Sequence, residues 1–255
     1  MPAPLVLMYH GFGGRSSAQD PQNLFVPADA FEQQMRSLLQ RGRTPLDEAA
    51  FLDGLRRGGR WPAGAFLVTI DDGYISTLDV AAPILARLGI PAIMYALPGL
   101  LGATSRWMPE MPDEPLLDQH GLRELPDRGV TVGLHGLDHL SLAGRSTDEL
   151  RRQTVEARQR LTELTGRRPE TFAYPFGDHD AAARAAVAEA GFDAAFAIYA
   201  GNGALAFPRV DVNALDTPRT FRLKTSRVFP RVKAAVDRTP AVRRLAHSVL
   251  GKAER

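Results

Sequence analysis

A chain of 255 residues, 44% apolar and 24% charged with no cysteine, is long enough for one barrel or two small domains. That composition excludes wholesale disorder, disulfides and thiolate metal sites, so any metal must sit on His, Asp or Glu. The net charge of +2 hides an asymmetry: from Arg219 onward there are 11 Lys or Arg against two acids, leaving 20 bases and 27 acids in the body.

In chain order, MPAPLVLMYHGF has no basic n-region and only a brief apolar run, too short for a secretory or membrane segment. The chain therefore reads as cytoplasmic. Brief apolar runs suited to strands buried on both faces occur at Leu5–Tyr9, Phe66–Ile70, Ala92–Ala96, Val130–Leu134, Thr171–Tyr174, Ala194–Ala197 and Phe207–Val212. Between them lie helical patterns. Phe31–Leu39 aligns Phe31, Met35, Leu38 and Leu39, and Thr77–Leu88 is a second amphipathic stretch. Thr147–Leu164 opens with Ser146 and Glu149 at capping-box spacing, and Asp180–Ala190 ends at Gly191, a C′ residue. Gly102–Gln119, rich in Pro and acids, reads as a long functional loop. Arg231–Leu250 reads as a further helix, interrupted near Pro240.

Seven strands alternating with helices predict an α/β fold of parallel units, most simply closed into an irregular barrel, with a doubly wound open sheet as the alternative. The domain spans 1–218, and 219–255 forms a basic helical tail. Such a tail suits packing across the acidic body or meeting an anionic membrane surface, and the first use is favoured. No nucleic-acid partner is expected.

Barrel active sites lie at the C-terminal strand ends, and nearly every candidate here follows a strand. His10 follows the first, Asp71 and Asp72 the second, and His135 and His139 the fourth; Pro175, Phe176 and Gly177 follow the fifth, and Arg209 lies in the last. His-x-x-x-His puts two imidazoles on one face, able to share an ion or else to form a polar turn. Adjacent carboxylates at a buried strand end need a cation or protons. Gly73 lets the chain turn so that both reach the rim, although an Asp-Gly turn with Asp72 capping a helix is the plainer alternative. Together Asp72, His135 and His139 make a three-ligand site with open positions, fitting Zn²⁺ or another divalent ion such as Co²⁺ or Ni²⁺. Asp71 is then the base and His10 the acid, unless His10 is only a hydrogen-bonded residue of the barrel floor.

The motifs resemble those of the polysaccharide deacetylases of carbohydrate esterase family four. VTIDDGY (68–74) is similar to the family's T-F-D-D-G segment, HGLDH (135–139) to its His-Ser/Thr-x-x-His, and FAYPFG (172–177) to its Arg-x-Pro-Tyr. LVLMYHGF (5–12) resembles the start of the circularly permuted branch typified by poly-N-acetylglucosamine deacetylases, where the acid histidine comes from the first strand. The resemblance implies a distorted (β/α)₇ barrel, Asp71 as base, Asp72, His135 and His139 as metal ligands, His10 as acid, and the Phe176 N–H as an oxyanion donor. Tyr9, Pro175 and Gly177, neighbours of these residues, join the substrate-binding group.

Three departures stand out. Gly136 replaces the usual Ser or Thr. Ala173 replaces the Arg that orients the catalytic Asp, a role assigned to Arg209 unless it makes only a surface ion pair. No Leu-x-His follows the last strand, as expected if His10 is the acid. Trp107 either stacks on a sugar or anchors its loop. His179 is a possible second acid or starts the following helix, and His120 and His247 show no chemical context. The expected activity is metal-dependent N-deacetylation of an amino sugar in a polymer, oligosaccharide or lipid-linked glycan. The alternatives are a deformylase or amidase on a small N-acyl compound, and an inactive glycan-binding barrel.

Overall fold

In the computed structural model, residues 3–229 are described, apart from 112, 200, 202 and 227. Seven parallel strands close into a barrel: Leu5–Tyr9, Phe66–Ile70, Ala92–Ala96, Val130–Leu134, Thr171–Ala173, Ala194–Ile198 and Phe207–Asp211. The first strand pairs with the second over Leu5↔Phe66 to Tyr9↔Ile70 and with the seventh at Leu7↔Val210 and Met8↔Asp211. That closure rules out the open sheet. The fold is the distorted (β/α)₇ barrel. Its thinnest seam joins the fourth and fifth strands through the single pair Leu134↔Phe172.

Strand alternation sorts the side chains into two layers. Leu7, Tyr9, Val68, Ile70 and Met94 face the surrounding helices. Val6, Leu67, Ile93, Tyr95, Ala173, Phe196 and Phe207 fill the interior. The interior is tight enough that a Cβ on Gly133 would lie 2.4 Å from the Tyr95 ring. A helix that the hydrophobic pattern does not reveal, Glu48–Arg56, is capped by Asp47 and inserts Phe51 and Leu52 beneath the barrel beside Trp61. It lies against the N-terminal end, where Asp47, Glu48 and Ala49 also line a cavity with Thr131 and Glu170, while a separate cavity opens at the C-terminal rim.

Ala28–Gln40 is longer than the pattern predicted, and Ala181–Glu189 starts from an Asp180 cap. Ser146 and Glu149 form the expected capping box. The helical stretch 147–165 is interrupted by a π-helical turn at Arg152–Glu156. At the basic end, Pro218–Lys224 is a helix capped by Thr217; its Phe221 is buried, and Arg41 and Arg43 both bond Thr225. The helix expected at 231–250 lies outside the described residues. Among the described residues no helix is long and apolar enough to cross a membrane.

Candidate active site

The second strand ends in two acids that the backbone sends to different partners. Asp71 continues the ladder, its N–H bonded to Tyr9 O at 2.8 Å, and faces inward. Asp72 and Gly73 then both take left-handed conformations, φ +74° and +76°. The reversal therefore begins at the Asp itself, one residue earlier than the sequence suggested, and it returns the second carboxylate to the rim. Asp72 caps no helix; the next helical turn starts at Thr77.

Asp71 is 2% exposed and meets Arg209, 1% exposed, through a two-pronged ion pair with both N···O distances 2.7 Å. Arg209 also donates to Thr69 Oγ1 and Ala197 O, and lies over the Tyr95 and Phe196 rings. It is not a surface residue. Burial is the strongest single influence and raises the Asp71 carboxyl, but the charge and hydrogen bonds of Arg209, together with His135 and His10, hold it below the usual carboxylate value. A buried, oriented, ionised carboxylate results.

Asp72 Oδ1 lies 3.3 Å from His135 Nε2 and 3.1 Å from His139 Nε2. Ligand atoms of all three residues fall within 4.8 Å of one another, and all three residues are buried. His135 Nδ1 is 2.8 Å from Ala173 O. A carbonyl can only accept, so Nδ1 carries a proton and Nε2 is the ring nitrogen turned toward Asp72, free to act as a ligand. Asp72 Oδ1 has no well-directed hydrogen bond despite these short contacts. Lone pairs converging on one point, with the histidine fixed by a backbone carbonyl behind it, fit a divalent cation better than a hydrogen-bonded cluster.

These groups form the floor of an open cavity of about 460 Å³, whose lining includes His10, Trp107, Phe176, Gly177 and Asp211. His10 is half-buried and its Nδ1 has no partner. Trp107 stacks on the His139 ring at 4.4 Å and 16°, and the half-exposed Phe176 packs edge-on to the same ring at 4.5 Å. Phe176 adopts φ +59° and Gly177 φ +71°; a Cβ on Gly177 would lie 2.7 Å from Ile198. Pro175 is buried behind them.

Tyr9 requires a correction. It is fully buried and donates to Gln34 Oε1 at 2.9 Å, against Phe12 and Phe31. Period-two alternation turns it outward where its neighbour His10 turns inward. His179 packs on Tyr174 and contacts Arg184, outside the cavity lining.

Other lining residues had escaped the sequence reading. Asp211 ends the last strand, so the same strand-end rule could have found it. Gln22, Leu24, Met108, Glu110 and Asn213 come from loops whose paths no periodicity predicts. The 102–118 segment is less irregular than expected. Antiparallel bridges pair Tyr74 with Leu116 and Thr104 with Pro115, and Met111 and Leu116 pack with Phe25 and Tyr74 in a small separate core. Arg15 also grips Glu114 through two bonds of 3.0 and 3.1 Å.

A parallel barrel with acids and histidines gathered at its C-terminal rim is the layout of a barrel enzyme's active site. The polysaccharide deacetylase family model matches residues 59–195, more than half of the chain, and the chain belongs to that family. It is 24% identical over 182 residues to YxkH of Bacillus subtilis strain 168, whose name carries the same family; the match covers 70% of this chain and 59% of that protein. In fold it is similar to the Streptococcus pyogenes deacetylase PplD (TM-score 0.76, 22% identity, 88% of this chain and 98% of that one). IcaB from Ammonifex degensii is also similar (TM-score 0.71, 22% identity, 90% and 97%).

Proposed function

We propose that the protein is a metal-dependent hydrolase that removes N-acetyl groups from an amino sugar. The observation that carries this is the Asp72–His135–His139 cluster beside an Arg209-held Asp71 in one rim cavity. Asp72, His135 and His139 would hold the ion, with Zn²⁺, Co²⁺ and Ni²⁺ as candidates. A divalent ion supplies Lewis-acid polarisation of the acetyl carbonyl and raises the acidity of water. Asp71, kept ionised by Arg209, takes a proton from the attacking water. The Phe176 N–H steadies the oxyanion as the carbonyl carbon becomes tetrahedral. His10 gives a proton to the leaving nitrogen as the C–N bond breaks, so acetate and a free amine result.

The cavity's shape bears on substrate length. Trp107, Met108 and Glu110 wall one side, on a segment tied down by its own small core. A volume near 460 Å³ is within the ordinary range for one small ligand. This favours a chain end, a short oligosaccharide or a small N-acyl compound over the middle of a polymer.

Acetate release should be measured on N-acetylated mono-, oligo-, polymeric and lipid-linked substrates, after chelation and after return of each metal. Metal-restored activity that is greatest on short substrates is expected. No acetate release from any substrate with metal bound would overturn the reading and leave a glycan-binding barrel; formate release alone would point to a deformylase. For the basic segment from Arg219, we infer packing against the acidic body, supported by buried Phe221 and by Lys224 meeting Asp211 and Asp216. No salt-sensitive binding to anionic liposomes is expected, and binding that is lost on removing the segment would overturn that inference in favour of a membrane surface.

A further inference from the structure

One buried polar side chain at the metal loop has no part in the chemistry above. Gln153 is 2% exposed and lies in the π-helical turn Arg152–Glu156. Its Oε1 accepts the Leu137 N–H at 2.7 Å, and its Nε2 donates to Asp138 Oδ1 at 2.5 Å. One side chain thus clamps two of the three residues between His135 and His139. Gly136 explains why the clamp comes from outside the loop. It has φ +81°, and a Cβ there would lie 2.9 Å from Gln153 Oε1. The Ser or Thr usual at this point of the resembled motif is therefore opposed twice, by backbone handedness and by the Gln153 amide.

The loop needs such support. His139 is a non-glycine residue at φ +63°, a conformation that persists only when its surroundings over-determine it. Turns of π-helix recur at functional positions, and this one carries the buried amide that reaches the loop.

We propose that Gln153 is a positioning residue for the metal site. It stands in for the missing position-136 hydroxyl and fixes the spacing of His135 and His139 around Asp72. The proposal rests on the metal-site reading above. It deepens that reading by assigning the loop's support to a helix outside the three recognised motifs.

The test compares wild type, Gln153→Ala, Gln153→Glu, and Gln153→Glu combined with Asp138→Asn. Each is titrated with Co²⁺ while its visible absorption is followed, and metal-free melting is recorded alongside. In Gln153→Ala, Co²⁺ affinity should fall about 10- to 100-fold, the usual range for groups that orient metal ligands, with an altered spectrum. Gln153→Glu should weaken binding too, because a carboxylate oxygen then faces Asp138. Adding Asp138→Asn exchanges donor and acceptor and should restore most of the affinity, which a merely space-filling role would not predict. Unchanged affinity and spectrum in folded Gln153→Ala, or no recovery in the exchanged pair, would overturn the proposal while sparing the metal site. Failure of wild type to take up Co²⁺ would overturn both.

Discussion

Asp71 at the C-terminal rim and Glu48 at the N-terminal floor are buried carboxylates of one barrel, yet their surroundings drive them in opposite directions. Burial disfavours the charge of each. At Asp71 a guanidinium bonded to both oxygens, with His135 and His10 nearby, offsets burial, and the group stays ionised. Glu48 has the Thr171 hydroxyl at 2.6 Å, itself 3.1 Å from the Tyr95 hydroxyl, but no ion-pair partner among the described residues. Burial therefore wins and pushes its carboxyl up to about 7. The hydroxyl hydrogen bonds at Glu48 are too weak to offset its burial, whereas the opposing charges at Asp71 offset it there.

The largest expected effect breaks the rim side of this pair. Asp71→Asn should lower the acetate-release rate about 10²- to 10⁴-fold, the usual contribution of a general base, while metal still binds by titration; normal turnover would remove Asp71 from its role. Arg209→Leu should then cost about 3–5 kcal/mol in urea unfolding, because it strands a buried charge. The double variant with Asp71→Asn should lose less than the single one, and simple additivity would show that the two groups are not coupled.

The floor yields a smaller effect with a pH signature. The folded pKa of Glu48 lies above the unfolded 4.5, so its stabilising contribution is complete below about pH 4.5 and is lost as pH rises through 7. Glu48→Gln should remove about 3 kcal/mol of pH dependence over that window, seen as a higher melting temperature than wild type at pH 8 but not at pH 4. Equal melting temperatures at pH 8 would deny the raised value. Smallest of all, Trp107→Ala should cost about 0.5–1.5 kcal/mol of aromatic contact and raise KM more than it lowers kcat. A collapse in kcat with KM unchanged would show Trp107 acting on the chemistry instead.

Much of the rim was legible because strand ends announce themselves: an apolar run stops, and the residue that stops it is polar. His10, Asp71, His135 and Arg209 each sit in the inward phase of a strand whose alternation could be counted. Tyr9 shows the limit of reading by adjacency, since one step along a strand reverses the face. The Glu48–Arg56 helix was missed because its pattern mixes Ala, Phe, Asp and Gly with no clean stripe, and only docking beneath the barrel gives Phe51 and Leu52 a common side. Gln153 was invisible for a related reason. Its importance depends on a π-helical turn and on contacts 15 and 16 residues away in sequence.

By itself the sequence determined the alternation of strands and helices, the strand-end placement of the acids and histidines, and the family motifs in which they stand. These follow from local periodicity and spacing. Arg209 was the named partner of the catalytic Asp, and the tertiary structure brings it to Asp71 across 138 residues. The tertiary structure alone set the left-handed turn that brings Asp72 to the histidines, and it laid the Trp107 segment over His139. Each depends on the barrel closing between its first and seventh strands, a long-range event that no local pattern encodes.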